Sequence, residues 1–314
     1  MMHKISCGVL MFLVACYVQP AETDTPRTSW GTPDLNGLWN FKTATPLERP
    51  DEFGEKGHFT DEEARDFEAH TDERTKAAGR AFEGEGRSVG AELWQVPGDE
   101  LYDDRRTSLI VDPPTGKIPE RTPLGAERLA MDVARIQGAP AGPEDRGPAE
   151  RCLLGFNSGP PMNPTIYNDN VQIFQSKDHI VLLNEMVHDA RIIPLDGRPP
   201  IPNKVRQWRG DSRGHWDGDT LVIETTNFTD VTTFMGTSPN MHLTERLTRV
   251  GEKRLMYEYT IDDPDSFTTP WTALLEMNLS DSEIYEYACH EANRSMTLML
   301  EVARYQERLA DSDN

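Results

Sequence analysis

The feature that most constrains this chain is a tight hairpin within residues 206–230, RQWRGDSRGHWDGDTLVIETTNFTD. Asp217-Gly218 sits between two β-prone runs. Glycine tolerates the positive φ that a two-residue hairpin turn needs. Before the turn, Asp211, Arg213, His215 and Asp217 alternate, so period-two geometry puts all four on one strand face. Two readings fit that row: a solvated outer face held by charge pairs, or a site. An isolated hairpin is marginal in water, so this one requires further strands to pack against.

The rest of the chain supplies them. From 171 onward the pattern is an antiparallel meander: 171–176, 179–187 and 191–195, with turns at Lys177-Asp178 and Asp196-Gly197. Pro199 to Pro202 form an extended link, after which 242–250 pairs with 254–262 and 271–279 with 284–291. Earlier candidate strands lie at 33–41, 93–96 and 107–111. Sequential hairpins of this kind predict a mainly β fold, an antiparallel up-and-down barrel or strongly curled sheet of lipocalin-like type. Two or three peripheral helices complete it. Thr60 and Glu63 form a capping box for a helix over 61–78. Thr122-Pro123 start a second, to about 136. Residues 301–309 read as a terminal helix with Leu298, Val302 and Tyr305 along its apolar side. Gly37-Leu38-Trp39 matches the Gly-x-Trp that opens lipocalin-type barrels, where the Trp plugs the floor; three residues alone do not specify the fold.

The first residues read as an export signal. Residues 5–14 are an apolar run too short to span a bilayer as an ordinary helix. Leu13-Val14-Ala15-Cys16 then matches a bacterial lipobox, in which Cys16 is lipidated and becomes the mature N-terminus; the competing reading is ordinary cleavage near Ala21. The expected location is the cell envelope, as an outer-membrane lipoprotein facing the periplasm, or secreted. The organisation expected is a signal peptide over 1–15, a tether over 16–32 and an N-terminal wrap over 33–148. A β-meander or barrel follows over 149–293, then a C-terminal helix and tail over 294–314. Fifty-three acidic against 32 basic residues give a formal charge of −21. That excludes nucleic-acid binding and docking on anionic lipid, so membrane contact is by the lipid anchor only. With Cys7 in the signal and Cys16 lipidated, Cys152 and Cys289 remain. In an oxidising compartment they form one disulfide, or else they are two buried thiols.

Several long stretches together resemble a large family of secreted proteins of environmental bacteria: RTSLIVDPPTGKIP from Arg106, ERCLLGFNSGPP, NVQIFQSKDHIVLLNEMVHDARIIPLDGRP, QWRGDSRGHWDGDTLVIETTNFTD and IYEYACHEAN. The resemblance spans most of residues 30–305. It implies export and a β-rich fold, and carries no catalytic residue to this chain. The chain departs from the family pattern Gly-Asn-Tyr-Gly at 292–295, where it reads Ala-Asn-Arg-Ser.

Strand faces select candidates for chemistry. Glu245 shares a face with Leu243 and Leu247. If that face lines a cavity, Glu245 is a desolvated carboxyl with a raised pKa, suited to general-acid work. Otherwise Arg246 or Arg249 neutralises it, or the face is external. Asp211, His215 and His290 are the remaining acid/base candidates. His188, Arg213, Trp216, Tyr257, Tyr259 and Trp271 are candidates for ligand contact, although aromatic strand residues also serve as core. No His-Glu-x-x-His or Cys-x-x-Cys spacing is present, so neither a metal nor a cofactor is expected. Three functions fit: an envelope-anchored barrel binding a small, partly apolar molecule in its cavity; a metal-independent acid/base enzyme, of lyase, isomerase or cyclase type, using that cavity; or a structural or interaction module of the envelope.

Overall fold

Among the described residues every ladder between named strands is antiparallel, and six of the nine pairs of strands successive in the sequence are hydrogen-bonded neighbours. The computed structural model describes residues 25–71, 73, 98–231, 234–291 and 293–312. Its strands are β1 (Gly37–Asn40), β2 (Ile110–Asp112), β3 (Asn170–Gln175), β4 (His179–Asn184) and β5 (Asp189–Pro194). They continue as β6 (Asp211–Asp217), β7 (Thr220–Thr226), β8 (His242–Arg249), β9 (Arg254–Asp262) and β10 (Trp271–Ser280). The sheet order is β5-β4-β3-β1-β10-β9-β8-β7-β6, with β2 paired to β10. β1 joins the two halves, since Trp39 pairs with Leu279 on one side and Val171 on the other. The result is a nearly closed, barrel-shaped sheet, as the sequential hairpins predict.

The remaining seam lies between β5 and β6, which meet through side chains. A Cβ on Gly214 would stand 2.6 Å from Leu195 Cδ2 and 2.9 Å from Ile193 Cγ2. Only glycine lets the two strands approach this closely.

Alternation fills the interior. Leu243 and Leu247 of β8, Tyr257, Tyr259 and Ile261 of β9, and Trp271 and Leu275 of β10 are fully buried. Each such aliphatic side chain contributes about 1.5–3 kcal/mol. Trp39 is equally buried; its indole donates to Leu35 O at 2.9 Å, and the Arg249 guanidinium lies 5.3 Å from its ring centre. The lumen is thus occupied by the protein's own side chains.

Among the described residues, three α-helices lie outside: α1 (Asp61–Ala69), α2 (Pro123–Gln137) and α3 (Ser295–Ser312). Thr60 and Glu63 form the expected capping box on α1. The expected strand over 284–291 does not form. β10 has β9 on one edge and β1 and β2 on the other, so no edge remains for it. That segment is held instead by the Cys152–Cys289 disulfide, whose Cα atoms are 5.7 Å apart. α3 begins earlier than expected, at Ser295. Cys16, the expected strand over 93–96 and the far end of the expected first helix lie outside the described residues.

Candidate functional site

The polar centre of the barrel is an ion pair. On β5 the alternation of Arg191 and Ile193 points both inward, while Ile192 faces solvent. On β8, Glu245 points inward between Leu243 and Leu247 and is 0% exposed. Arg191 Nη1 donates to Glu245 Oε2 at 2.5 Å and Nη2 to Oε1 at 2.7 Å. Tyr257 donates to Oε1 at 2.7 Å and accepts from Met162 N at 3.1 Å. Burial opposes the charge on Arg191, and the facing carboxylate more than offsets it, so its pKa is raised further. Burial, then the Glu245 charge, pushes the Tyr257 hydroxyl well above its ordinary value, which keeps it a donor.

This corrects the expected role of Glu245. It is inside, but both its oxygens are engaged, so it lacks the free edge a general acid needs. Nor do Arg246 and Arg249 neutralise it: Arg246 pairs outward with Asp217 at 3.1 Å, and Arg249 donates to Gly251 O. The partner is Arg191. The same period-two face criterion would have found it, because it shares a face with Ile193.

The expected convergence of His and carboxyl groups is also corrected. On β6 the inward residues are Ser212, Gly214 and half-buried Trp216; His215 and Asp217 of the other row are exposed. Gly214 pairs with Ile223, which pairs with Glu245, so Asp211, Arg213 and His215 lie on the face opposite to Glu245. Close packing at the seam decides this, since only the face containing Gly214 can turn inward there. Asp211 braces the proline-rich link by accepting from Ile201 N at 2.9 Å, and accepts from Arg213 Nη1 at 2.7 Å. His290 is exposed in the segment after β10, and His188 is exposed in the turn after β4. Tyr257, Tyr259 and Trp271 are core; Tyr259 lies 5.9 Å from the Trp271 ring.

A second polar region was not legible in the sequence. At the end of β1 and the start of β3, a depression of about 340 Å³ lies on the outer wall. Asn40 and Asn170 are register partners there, joined by Asn40 Nδ2 to Asn170 Oδ1 at 2.8 Å, and Asn170 Nδ2 donates to Glu185 Oε2 at 2.7 Å. Asp169, 3% exposed, lies at its floor. It accepts from Asn157 Nδ2 at 2.9 Å and Thr165 N at 3.0 Å. Burial outweighs these bonds and raises its pKa to about 6. Lys42 adds a cation, and Tyr167 an aromatic face, with the Phe156 ring centre 5.5 Å and the Tyr287 ring centre 6.2 Å away. Cys289 fastens the segment carrying Tyr287 to Cys152.

Backbone strain gathers around this depression. Asn168 on its rim has φ +57°, and Val187 and His188, just beyond rim residue Glu185, have φ +61° and +57°. Left-handed non-glycine residues of this kind, valine above all, persist where surroundings over-determine them, and they cluster at ligand clamps.

No family model, curated protein or solved structure matches the chain. Among the described residues, no group of three His, Cys, Asp or Glu side chains is placed to hold a metal ion.

Proposed function

We propose that the protein is a small-molecule binding protein of the cell envelope, tethered through lipidated Cys16, and that its ligand sits beside Asp169 rather than in the lumen. The observation that carries this reading is the 340 Å³ depression with a nearly buried carboxyl, a lysine and a tyrosine face converging on it. A concave site with a few fixed polar groups and a perturbed carboxyl is the usual form of a ligand site. Its chemistry suits a small, partly apolar molecule. An apolar or aromatic part lies on Tyr167, and hydroxyl or amide groups meet Asn40, Asn170 and Glu185.

Native mass spectrometry of the protein purified from the envelope tests it. A bound small molecule is expected in the wild type and is lost from a Lys42→Ala, Asn170→Ala variant of unchanged thermal stability. Equal retention by that variant would sink the site. The anchor is tested by fractionation, because Cys16→Ser should leave the membrane fraction or fail to mature.

Acid/base chemistry has one observation behind it, the Asp169 pKa of about 6. Turnover of a retained ligand that vanishes in Asp169→Asn, with binding kept, would favour that reading over simple binding.

A further inference from the structure

Leu298, Val302, Tyr305 and Leu309 follow one another in α3 at intervals of four, three and four residues. That is the a/d spacing by which one helix packs along another. At about 3.6 residues per turn the four form one stripe. They are 55%, 53%, 55% and 47% exposed, respectively. Met296, Leu300 and Ala303 lie on the opposite side of the helix and face the body of the protein; Ala303 is buried and the other two are half-buried. Arg304 fastens that side, donating to Pro140 O and Ala141 O at 2.8 Å each. The helix therefore has two apolar sides, and only one of them is covered. Surface helices ordinarily carry one apolar stripe, turned toward the core, and draw most of their stability from packing it.

The charges beside the stripe select its occupant. Glu301 and Arg308 lie along the same flank, seven residues apart, and neither makes an ion pair among the described residues. Arg308 only stacks over its own Tyr305, 5.9 Å from the ring centre. Arg304 and Glu307, away from this flank, are already paired with each other at 2.6 Å. The other flank holds the uncharged Met299 and Gln306. In a parallel helix pair unlike flanks meet, which would set Glu301 and Arg308 against uncharged side chains. In an antiparallel pair like flanks meet. With Val302 packed against the partner's Tyr305, Glu301 falls beside the partner's Arg308, and two-fold symmetry makes the same contact twice. Opposite charges at that spacing make the stripe complementary to itself in one orientation.

We propose that α3 is a self-association surface, on which the α3 helix of a second copy of this chain packs antiparallel across a two-fold axis. The local charge permits it despite the formal net charge of −21. Within α3, Glu301, Glu307 and Asp311 are balanced against Arg304 and Arg308, with Arg294 just before the helix. Eighteen residues give a helix only ~27 Å long. Such a contact falls below the about 1,200 Å² of a standard interface, so the dimer is a weak and reversible one.

The test is sedimentation velocity of the full chain carrying Cys16→Ser, so that a lipid anchor cannot itself gather the copies, at about 1–300 µM protein and roughly 0.15 M salt. A monomer–dimer equilibrium is expected. Val302→Glu places a charge in the centre of the stripe and should weaken it by at least about tenfold. Its thermal midpoint should match wild type, because Val302 is half exposed in the monomer. Glu301→Arg and Arg308→Glu should each weaken the dimer by about threefold or more, since each sets like charges together twice. The double variant Glu301→Arg, Arg308→Glu should restore it, which only the antiparallel pairing explains. Four results each overturn the proposal. The first is a monomer throughout the range, and the second a dimer indifferent to Val302→Glu. The third is a charge-swapped double variant no tighter than the single ones. The fourth is a monomer that instead floats with phosphatidylcholine vesicles through the same valine, which would lay the stripe on a lipid surface.

Discussion

Arg191 and Glu245 stand 54 residues apart in the chain and meet inside the barrel as a two-pronged ion pair, at 2.5 and 2.7 Å. The pair bridges β5 and β8, which lie on opposite sides of the seam. It therefore ties the closing strands together where no backbone ladder is described between β5 and β6. Breaking such a pair leaves a buried charge without a partner, at a cost of about 3–5 kcal/mol, whereas replacing both members by apolar residues is far milder. Glu245→Gln should accordingly lower the unfolding free energy by about that amount in urea titrations. The double variant Arg191→Met, Glu245→Leu should recover most of the loss. A Glu245→Gln protein within about 1 kcal/mol of wild type would show the pair to be a spectator.

Asp169 sets a pH dependence of known sign. Its folded pKa, about 6, lies above the ordinary carboxylate value. Between pH 4 and 6 the folded state therefore holds more proton than the unfolded chain. The stability from Asp169 is present at low pH and is lost as pH rises through about 6. Asp169→Asn removes this dependence. From pH 4 to 7 its stability relative to wild type should rise by on the order of 2–3 kcal/mol. Parallel stability profiles for the two proteins would contradict the assignment.

The Cys152–Cys289 bridge closes a 137-residue separation and holds the segment after β10 that would otherwise have no sheet edge to join. Removing it with Cys152→Ser and Cys289→Ser should cost about 4 kcal/mol by the chain-entropy estimate. It should also speed proteolysis of residues 281–294 in the native protein. Unchanged unfolding midpoints and cleavage rates would show that packing alone retains this segment.

Gly214→Ala probes the seam. The added methyl group would press on Leu195 and Ile193 at well under contact distance. A loss of about 1–3 kcal/mol is expected, as for overpacking a filled core. Gly197→Ala is the useful contrast: nothing lies within 4 Å of its Cβ, and only its φ of +72° resists the change. If Gly214→Ala proves neutral in thermal unfolding, the strands do not meet as closely as described.

Local chemistry in the sequence determined the hairpins, whereas the barrel also needed β1, whose Trp39 pairs with Leu279 and Val171 far along the chain. Asp217-Gly218 turns one way only, and each later turn delivers a strand beside its predecessor. The sequence also determined that Glu245 shares its face with two leucines, because strand side chains alternate whatever surrounds them. Tertiary structure decided which face of β6 turned inward. Alternation offers two faces without ranking them, and packing of Gly214 against Ile193 and Leu195 made the choice. It also supplied the partner of Glu245, since a residue 54 positions away becomes a neighbour only when the sheet curls round. The same holds at Asp169, whose carboxyl is perturbed by the loop that covers it and the strand ends beneath it. Its neighbours in the sequence alone, Asn168 and Asn170, carry no sign of that burial.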